Sequence, residues 1–441
     1  MPTRPPRKKR VIVIGSGLAG LTAAYLVHND PKCEYDVEIF ESGSHPSLDA
    51  TTLPTNLEID IPMRTFSKNY YRTLHTLYKH LNLPIRQQKF TYIFTTLSSP
   101  QSRPNSYHTH PSNFHALPTP IPGVSLLSHI TTLAVLYLAY IYFTLCILLL
   151  CPGEDETLSS WLDRSLLPEW MVKGYFLPIF GAVGTCSSAE LLASPARDLI
   201  TYRRALLFRR HYVVSGGVSV IRQQLVHGIP IRLNRHVDRV HKTPRGLSIS
   251  WYGDSEEEEV ADAVIFAIPP DAVAGIYAPL APSVSQIPTV KVKVYAHTDG
   301  TVLTPSYARL SRSFALAKDH VAIQLTTTKT HTSATEVHAG VMVSTTPQLV
   351  PGKDKVVMGA GYTRVLRTPE SRRIVNALLD GEGEGWSNGD GGVWIVGGWC
   401  WDGMVLLEGC VRSAVRVWEE GFGGGIEVLG RVGSSGDSLV E

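Results

Sequence analysis

A short run of strand-forming residues at 11–14 leads directly into the pattern Gly15-Ser16-Gly17-Leu18-Ala19-Gly20, and helix-forming residues follow at 21–27. In such a strand, turn and helix, the first glycine permits a tight turn and the second lets the backbone approach a pyrophosphate. The third lets the helix pack closely on the strand. Free N–H groups at the start of the helix favour a bound anion. The segment therefore predicts a dinucleotide-binding turn.

A second predicted strand at 37–40 ends at an acidic residue, Glu41. An acid about 20 residues after the glycines is placed to accept hydrogen bonds from a ribose diol. These features together complete the pattern of a nucleotide-binding βαβ unit. The predicted cofactor-binding residues of this unit are Gly15, Ser16, Gly17, Leu18, Ala19, Gly20, Glu41 and Ser42.

The length and composition of the chain limit its architecture and its partners. It has 441 residues, of which 44% are hydrophobic, and single cores stop growing at ~250–300 residues, so we expect two or more lobes. Its 41 basic and 39 acidic residues nearly balance, and they do not suggest a nucleic-acid partner. The basic residues among the first ten are most simply a solvated tail, with attraction to an anionic membrane surface as the alternative.

The six cysteines show neither a CxxC spacing nor a compact disulfide framework. They favour a reducing, cytoplasmic compartment, and we predict no metal site. The apolar residues after the basic start belong to the nucleotide-binding strand, so we do not interpret them as a secretion signal.

A predominantly apolar run at 130–151 lies within a longer stretch, 104–153, that contains no Asp, Glu, Lys or Arg. About 20 apolar residues suffice to cross a bilayer. Core helices of globular proteins rarely carry uncharged residues on all faces over such a length, so we favour membrane contact over a buried core helix. The run therefore predicts a membrane-associated helix.

The predicted nucleotide-binding motifs lie on both sides of this apolar run, and their placement restricts how the run contacts a membrane. A single complete crossing would put the two halves of one cofactor site in different compartments, where the site could not assemble. We therefore expect a monotopic arrangement, in which the run dips into one leaflet, lies along it or bends back within it.

The remainder of the chain alternates between helical and strand-forming stretches. Residues 158–225 read mostly as helices, and 247–252 with 260–267 form a predicted hairpin around an acidic turn. Further strands are predicted at 229–233, 237–240, 287–297, 337–343 and 355–358. The Gly- and Ser-rich residues after 421 predict a flexible tail.

Near the C-terminus, a predicted buried strand at 392–399 ends in glycines and a helix begins at about 406. The simplest interpretation is the closing strand and helix of any α/β domain. In the alternative interpretation, the N-terminus of this helix stabilises negative charge that develops on a flavin ring as the ring is reduced.

Taken together, these separated segments resemble the flavin-containing amine oxidase superfamily, and more closely its branch of NAD/FAD-binding proteins found with lipid-modifying enzymes and in fungi. The resemblance rests on blocks spread over most of the chain: 15–41, 57–66 with Tyr70-Tyr71, 215–240, 261–270, 296–299 and 406–414. The loop after Glu41 departs from the family. Where the family usually has an Arg and paired glycines, this chain has Ser42-Gly43-Ser44-His45-Pro46-Ser47-Leu48.

The resemblance implies a tightly bound FAD and an α/β fold. In this fold an FAD-binding Rossmann-like domain of the glutathione-reductase type is interleaved with an α+β substrate domain, and one hydrophobic membrane-associated helix is added. The implied FAD-binding segments are 1–95, 206–275 and 386–420. The other segments are a helical substrate and membrane part at 96–205, substrate-domain strands at 276–385 and a flexible tail at 421–441. Further implied cofactor contacts are Val237, against the adenine, and Gly398, Leu407, Glu408 and Gly409.

Three residues are candidates for the chemistry. Lys291 is the nearest match to the lysine that amine oxidases place near the flavin N5. His297, with an ordinary pKa near ~6.5, could act as a base, or it could hydrogen-bond within a turn with Asp299 as its partner. Arg64 orients an anionic head group or the flavin, or it is a structural ion-pair residue.

An apolar membrane segment gives an enzyme access to molecules dissolved in the bilayer. We therefore expect an FAD-dependent oxidoreductase that takes a hydride from a hydrophobic small-molecule or lipid substrate, by dehydrogenation or desaturation of an acyl, isoprenoid or similar chain. Two alternatives stay open. They are a membrane-attached flavin amine oxidase and a non-catalytic dinucleotide-binding membrane protein.

Overall fold

The computed structural model describes residues 7–53, 58–99, 101–112, 115–252, 258–311, 320–381 and 385–424. Three sequence predictions fall wholly or partly outside these ranges: the basic residues before position 7, the acidic turn at 254–257 and the flexible tail from 425 onward. Within the described ranges the chain forms an α/β fold with four sheets.

The strands of the described residues are, in chain order, β1 (Lys9–Ile14), β2 (Tyr35–Phe40), β3 (Thr51–Thr52), β4 (Asp60–Ile61), β5 (Ile85–Thr96), β6 (Asn105–Pro111), β7 (His211–Val214), β8 (Ile231–Arg232), β9 (Val237–Thr243), β10 (Gly246–Trp251), β11 (Glu258–Ala261), β12 (Ala263–Phe266), β13 (Thr289–His297), β14 (His320–Thr327), β15 (Thr332–His338), β16 (Val341–Thr345), β17 (Val356–Val365) and β18 (Val393–Ile395).

The α-helices are α1 (Leu18–His28), α2 (Arg72–His80), α3 (Leu126–Leu149), α4 (Leu158–Ser165), α5 (Glu169–Met171), α6 (Leu177–Gly184), α7 (Ser188–Leu192), α8 (Ala196–Ala205), α9 (Gly217–Leu225), α10 (Pro270–Ile276), α11 (Ala281–Val284), α12 (Tyr307–Ser311), α13 (Pro369–Asp380) and α14 (Leu407–Phe422). A π-helical turn, Val172–Phe176, joins α5 to α6.

Five parallel strands form the nucleotide-binding sheet, in the order β18-β12-β1-β2-β8. Its central strand β1 reads as a continuous apolar run because both faces of the sheet are covered. Helices α1 and α14 share a core with Val11 and Val13 on one face. The Trp418 indole N–H of α14 donates a hydrogen bond to the Asp30 carboxylate, 3.1 Å away, just after α1. The sheet thus combines strands from the start, middle and end of the chain.

The stretch 260–267, which the sequence predicts as the second strand of a hairpin, divides at Asp262. The residues before it, in β11, pair antiparallel with β10, whereas those after it, in β12, join the nucleotide-binding sheet parallel to β1. The Asp262 N–H donates to the Arg10 carbonyl oxygen at 2.9 Å, and its carboxylate accepts from the Arg10 N–H at 2.7 Å. The hairpin prediction is wrong in its second half, because these bonds draw the chain into the other sheet.

A larger sheet of eight strands forms the other lobe, in the order β17-β13-β16-β15-β14-β5-β6, with β7 paired to β5. Strand β5 lies almost entirely within the predicted FAD-binding segment 1–95, and β7 lies within 206–275. The backbone hydrogen bonds of β5 nevertheless pair it with β6, β7 and β14. Both strands therefore belong to the large sheet rather than to the nucleotide-binding sheet, and the segment boundaries at 95 and 206 stay a prediction.

Helix α3 begins and ends slightly earlier than the predicted run 130–151. Its buried residues recur every three or four positions and form one stripe against the protein, namely Leu136, Ala139, Phe143 and Ile147. Most of its other large apolar side chains are exposed. By length and composition it is the one helix in the described ranges that could cross a membrane.

Candidate active site

The predicted glycine turn joins β1 to α1 and has a geometry that only glycine tolerates. Gly15 has φ of +101°, and a Cβ added there would lie 2.7 Å from the carbonyl oxygen of Ala267. A Cβ on Gly20 would lie 2.1 Å from the Gly15 carbonyl oxygen. The first glycine therefore makes the turn and the third lets α1 approach it closely, as the sequence pattern predicts.

Glu41 follows β2 and is tied directly to this turn. One carboxylate oxygen accepts hydrogen bonds from the N–H of Ser16, at 2.9 Å, and from the Ser16 hydroxyl. The other oxygen accepts from the Gly43 N–H at 2.7 Å and the Ser42 hydroxyl at 3.3 Å. These bonds fix the carboxylate beside the glycine turn. Ser16 and Ser42 therefore position the predicted ribose acid.

Gly397 and Gly398 follow β18 and precede α14, where the second predicted motif lies. A Cβ on Gly409 would lie 2.6 Å from the Gly398 carbonyl oxygen and 2.2 Å from Cδ1 of Trp401. The start of α14 can therefore pack against the glycines only because residue 409 has no side chain.

Glu408 has a structural role that the sequence analysis does not assign to it. Its carboxylate oxygens accept from the N–H groups of Thr73, at 3.0 Å, and Leu74, at 3.1 Å. These are free donors in the first turn of α2, which has no side-chain cap of its own. Glu408 is almost fully buried and does not line the cleft described next, so it joins α14 to α2.

One continuous cleft of about 990 Å³ joins the two motifs, at the upper end of the roughly 300–1,000 Å³ of ligand pockets. Its walls include the predicted residues Gly17, Leu18, Ala19, Arg64, Gly398 and Leu407. The other predicted cofactor residues are not part of this lining: Gly15, Ser16, Gly20, Glu41, Ser42, Val237, Glu408 and Gly409. Stretches almost 400 residues apart in the sequence thus meet at one site.

The cleft has features that fit a bound FAD. The Arg64 guanidinium donates one hydrogen bond to the Asp49 carbonyl oxygen, while its buried Nε has no partner among the described residues. A buried donor without a partner on the cleft wall marks a place for a ligand acceptor. Gly17 has no room for a side chain, because a Cβ there would lie 2.5 Å from the Asp49 carboxylate. Arg64 and the glycine turn would hold the dinucleotide.

Val237, predicted to lie against the adenine, begins β9 and is buried in an apolar core that also contains Phe40 and Trp251. Phe40 directly precedes Glu41, so this core lies beside the predicted ribose acid. The contact of Val237 with the adenine itself stays a prediction.

His297 lies at the end of β13 and outside the cleft lining. Its Nδ1 accepts from the N–H of Asp299 at 3.2 Å, and its Nε2 donates to the Ser344 hydroxyl at 2.9 Å. Burial lowers the pKa of the ring. Both nitrogens are therefore occupied by the protein, in a hydrogen-bonded turn with Asp299. His297 is not placed to take a proton from a substrate in the cleft.

Lys291 also lies outside the cleft. Its exposed ammonium is 2.6 Å from the Thr363 hydroxyl and 3.5 Å from the Asp271 carboxylate. A role for Lys291 at the flavin ring therefore has no support in its position.

The opposite half of the cleft is formed by α3, α8 and β5–β7, and none of its side chains is among the site residues predicted from the sequence. Its chemistry-bearing side chains are Tyr92, His110, Tyr202, Arg203 and His211. They come from separate elements and follow no motif, so no spacing could have identified them. Burial lowers the pKa of His110 and of His211 to about 4, which keeps both rings neutral near pH 7. A neutral imidazole can accept a proton.

Glu336, on β15, also lines the cleft. Its carboxylate lies 3.1 Å from Nε2 of His338. Burial raises its pKa.

Two family models match the chain. The model of an NAD(P)-binding Rossmann-like domain matches residues 13–81, and that of flavin containing amine oxidoreductases matches residues 53–378. No match is found among curated protein sequences.

Solved structures with a similar fold share little sequence with this chain. One, from Exiguobacterium sp. 255-15, is described as a protoporphyrinogen oxidase (13% identity, TM-score 0.58, 94% of this chain and 98% of that one). Another is wild-type putrescine oxidase bound to putrescine (14%, TM-score 0.58, 95% and 100%). A third is an oxidoreductase from Methanosarcina mazei (15%, TM-score 0.55, 93% and 100%). These likenesses concern the fold alone.

The family model spans most of the chain, and the two nucleotide motifs meet at one cleft. The expectation of a flavoprotein enzyme, made from the resemblance, is confirmed. The chain belongs to the flavin containing amine oxidoreductase family and is an FAD-dependent oxidoreductase.

Proposed function

We propose that the protein oxidises a C–H bond of a hydrophobic substrate that it takes from one leaflet of a membrane, by dehydrogenation or desaturation of a lipid-like chain. The proposal rests on the position of α3, which lies at the protein surface and also forms part of the cleft wall. Tyr137, Ile141 and Leu145 line the cleft and are also 61%, 43% and 49% exposed. The helix that offers an apolar surface to the outside therefore also forms a wall of the site.

Residues that follow α8 support the same proposal. Leu206, Leu207 and Phe208 line the cleft, and Phe208 is 80% exposed. A strongly exposed apolar side chain at a cleft that an exposed apolar helix also lines is typical of a site that meets a membrane or another apolar surface. We expect the substrate to enter the cleft beside α3 and Phe208.

The fold favours the monotopic arrangement. Strands β5 and β6 precede α3 in the chain, whereas β7 and β14 follow it, and these four strands belong to one sheet. The segments before and after α3 must therefore stay on the same side of a bilayer. We propose that α3 lies in one leaflet with its buried stripe toward the protein.

Bound FAD supplies the acceptor for the hydride. The chain's own residues bind the dinucleotide through the glycine turn and Arg64, and they exclude water with the aromatic rings of Phe90, Tyr92 and Tyr140. A dehydrogenation also releases a proton, and the neutral rings of His110 and His211 lie in the substrate half of the cleft.

Vesicle flotation tests membrane attachment. We expect the full-length protein to float with phosphatidylcholine vesicles and Leu138→Glu to lose this binding, because Leu138 is exposed on α3 and does not line the cleft. The matched control is Val357→Glu, an exposed apolar position on β17. Equal flotation of the two variants, or none by the wild type, contradicts membrane attachment through α3.

Anaerobic titration of the detergent-purified protein tests the substrate class. We expect its visible flavin absorbance to bleach with a lipid extract. An amine is the second candidate, because putrescine oxidase shares the fold and because Glu336 gives the cleft a carboxyl group that could pair with an ammonium ion. Bleaching by putrescine or by monoamines, and not by lipids, would reject the lipid proposal in favour of an amine oxidase.

A further inference from the structure

Arg203, on α8, lines the substrate half of the cleft. The other side chains that line this half are mainly apolar or aromatic and come from α3, β5 and the segment after α8: Phe90, Tyr92, Tyr140, Ile141, Leu206 and Leu207. A cation is costly in such surroundings unless an anion or water accompanies it. Arg203 therefore needs an explanation.

Among the described residues, no carboxylate pairs with Arg203 and no hydrogen bond from its guanidinium is found. The guanidinium carbon Cζ of Arg203 lies over the ring of Phe143, 6.0 Å from the ring centroid. Other arginines of the molecule are used structurally. Arg204 donates to the Ile147 carbonyl oxygen, and Arg372 lies 3.5 Å from the Asp198 carboxylate. Arg203 thus differs from these two arginines, because its guanidinium has no polar partner among the described residues.

The titratable groups that interact with Arg203 do not neutralise it. Its charge acts on His110, His211, Tyr202 and Tyr140, all of which line the same half of the cleft. These rings are uncharged near pH 7, because burial disfavours their charged forms. Arg203 therefore presents an uncompensated positive charge to whatever enters from the side of α3.

A planar guanidinium binds carboxylate and phosphate groups through two parallel hydrogen bonds. We propose that the substrate is a single-chain amphiphile with an anionic end group, that Arg203 binds this group, and that the chain lies along the aromatic walls of the cleft. The inference rests on the proposed function and narrows its substrate class. The anionic group is the carboxylate of a fatty acid or the phosphate of a single-chain phospholipid. Arg203 is then a specificity-determining residue.

Equilibrium dialysis of the full-length FAD-loaded protein, below the critical micelle concentration of each ligand, tests the inference. The probes are oleate, oleyl phosphate, oleyl alcohol and oleylamine, which share one chain and differ in the end group. We expect one of the two anions to bind at least about tenfold tighter than the alcohol, because hydrogen bonds between charged groups strengthen binding by about this factor. The tighter anion identifies the source of the end group.

The variants separate recognition from folding. Arg203→Gln should reduce the preference for the anion to within about twofold, while Arg203→Lys, which keeps the charge, should retain part of it. Arg209→Gln, at an exposed position that does not line the cleft, should behave as wild type. In turnover with the preferred anion, Arg203→Gln should raise KM much more than it lowers kcat, which a purely structural role would not produce.

Each outcome has one meaning. Equal binding of anion and alcohol by the wild type, an unchanged preference in Arg203→Gln, or tightest binding of oleylamine overturns the role of Arg203. Binding of the alcohol without a preference for anions leaves the proposed hydrophobic substrate in place. If none of the four probes binds, the proposed function fails together with this inference.

Discussion

The imidazole of His110 stacks on the phenol ring of Tyr140, with ring centroids 5.7 Å apart and an angle of 13° between the planes. His110 belongs to β6 of the large sheet and Tyr140 to α3. This contact, together with the buried stripe of the helix, fixes the apolar helix to the sheet that carries the substrate half of the cleft. The proposed membrane helix is therefore a wall of the active site rather than an appended anchor.

The stack predicts that alanine substitutions of two tyrosines of α3 have different effects on the stability of the protein. Tyr140→Ala removes an aromatic pair from the cleft wall, so we expect the free energy of unfolding in detergent to fall by about 2 kcal/mol. Tyr137→Ala, on the same helix but 61% exposed, should change it by less than about 0.5 kcal/mol. A chemical denaturation series measures both. Equal effects would mean that the stack does not hold α3 to the sheet.

Buried histidines predict that the protein loses stability in mild acid. Burial lowers the pKa of His108 to about 3 and those of His110 and His211 to about 4. The unfolded chain takes up these protons near pH 6.5 and the folded chain does so only at lower pH, so the stabilising contribution is complete above pH 6.5 and falls as the pH decreases. We expect a loss of about 1–2 kcal/mol per histidine between pH 7 and pH 5.

Urea unfolding at several pH values between 5 and 7.5 measures this slope. His211→Asn removes one of the three groups and should make the slope shallower. His331→Asn is the control, since the side chain of His331 is exposed. If stability depends on pH equally in the wild type and in both variants, the lowered pKa of His211 does not contribute to the loss of stability in acid.

The third glycine of the turn gives a test of cofactor binding. A Cβ at Gly20 would lie 2.1 Å from the carbonyl oxygen of Gly15, which cannot move without opening the turn. We therefore expect Gly20→Ala to purify with little flavin absorbance and to bind added FAD more than about tenfold more weakly than the wild type. Gly275→Ala is the matched control, because Gly275 lies in α10 with open space around its Cα. It should bind FAD normally and be slightly more stable. Normal FAD content in Gly20→Ala would contradict the role of the turn.

The cofactor half of the site was predictable because its residues are contiguous. The glycine turn, its acid and the C-terminal glycines each lie within a few residues of a strand end, where local geometry fixes their direction. The substrate half was not predictable, because His110, Tyr202 and His211 come together only through the pairing of β5 with β6 and β7 and through the packing of α3 and α8. That packing leaves no periodic trace in the sequence.

His297 shows that a single β-bulge can make a prediction from strand alternation wrong. Strict alternation along β13 would put residue 297 on the same exposed face as Lys291 and Lys293. The pairing of β13 with β17 instead shifts register between Ala296 and His297, and both residues are fully buried. The ring therefore turns into the sheet and away from any substrate. Such a bulge depends on the partner strand and cannot be inferred from β13 alone.

Glu408 predicts a large effect on folding. Its carboxylate accepts from two backbone N–H groups of α2 and lies 3.3 Å from Nε of Arg412. Glu408→Gln leaves one of these donors without an acceptor in a buried place, so we expect a loss of about 1–3 kcal/mol in the free energy of unfolding. Glu420→Gln, which removes an exposed helical ion pair with Arg416, should cost less than about 0.5 kcal/mol. Chemical denaturation of both variants in the same detergent measures these losses. Equal losses of unfolding free energy would contradict the role of Glu408 in capping α2.

The last prediction concerns Asp49, which directly follows the loop 42–48 where this chain departs from its family. A Cβ at Gly17 would meet the Asp49 carboxylate at 2.5 Å, so this acid stands at the turn that faces the pyrophosphate. The surrounding walls raise its pKa, and the Arg64 charge opposes that shift. An ionised carboxylate at this place repels the phosphates. Asp49→Asn should therefore bind FAD about tenfold more tightly near pH 8, because it removes the charge and keeps the shape.

The same charge makes the affinity for FAD depend on pH in a defined direction. As the pH falls through the raised pKa of Asp49, the carboxyl group becomes neutral, so wild-type affinity should rise toward that of Asp49→Asn, whose own affinity should stay nearly constant. Fluorescence titration of the apoprotein with FAD, from pH 8.5 down to the lowest pH at which the protein stays folded, measures both curves. Asp36→Asn, which removes a similar charge from an exposed position on β2, should follow the wild type. Parallel curves for wild type and Asp49→Asn would mean that Asp49 turns away from the cofactor when FAD binds.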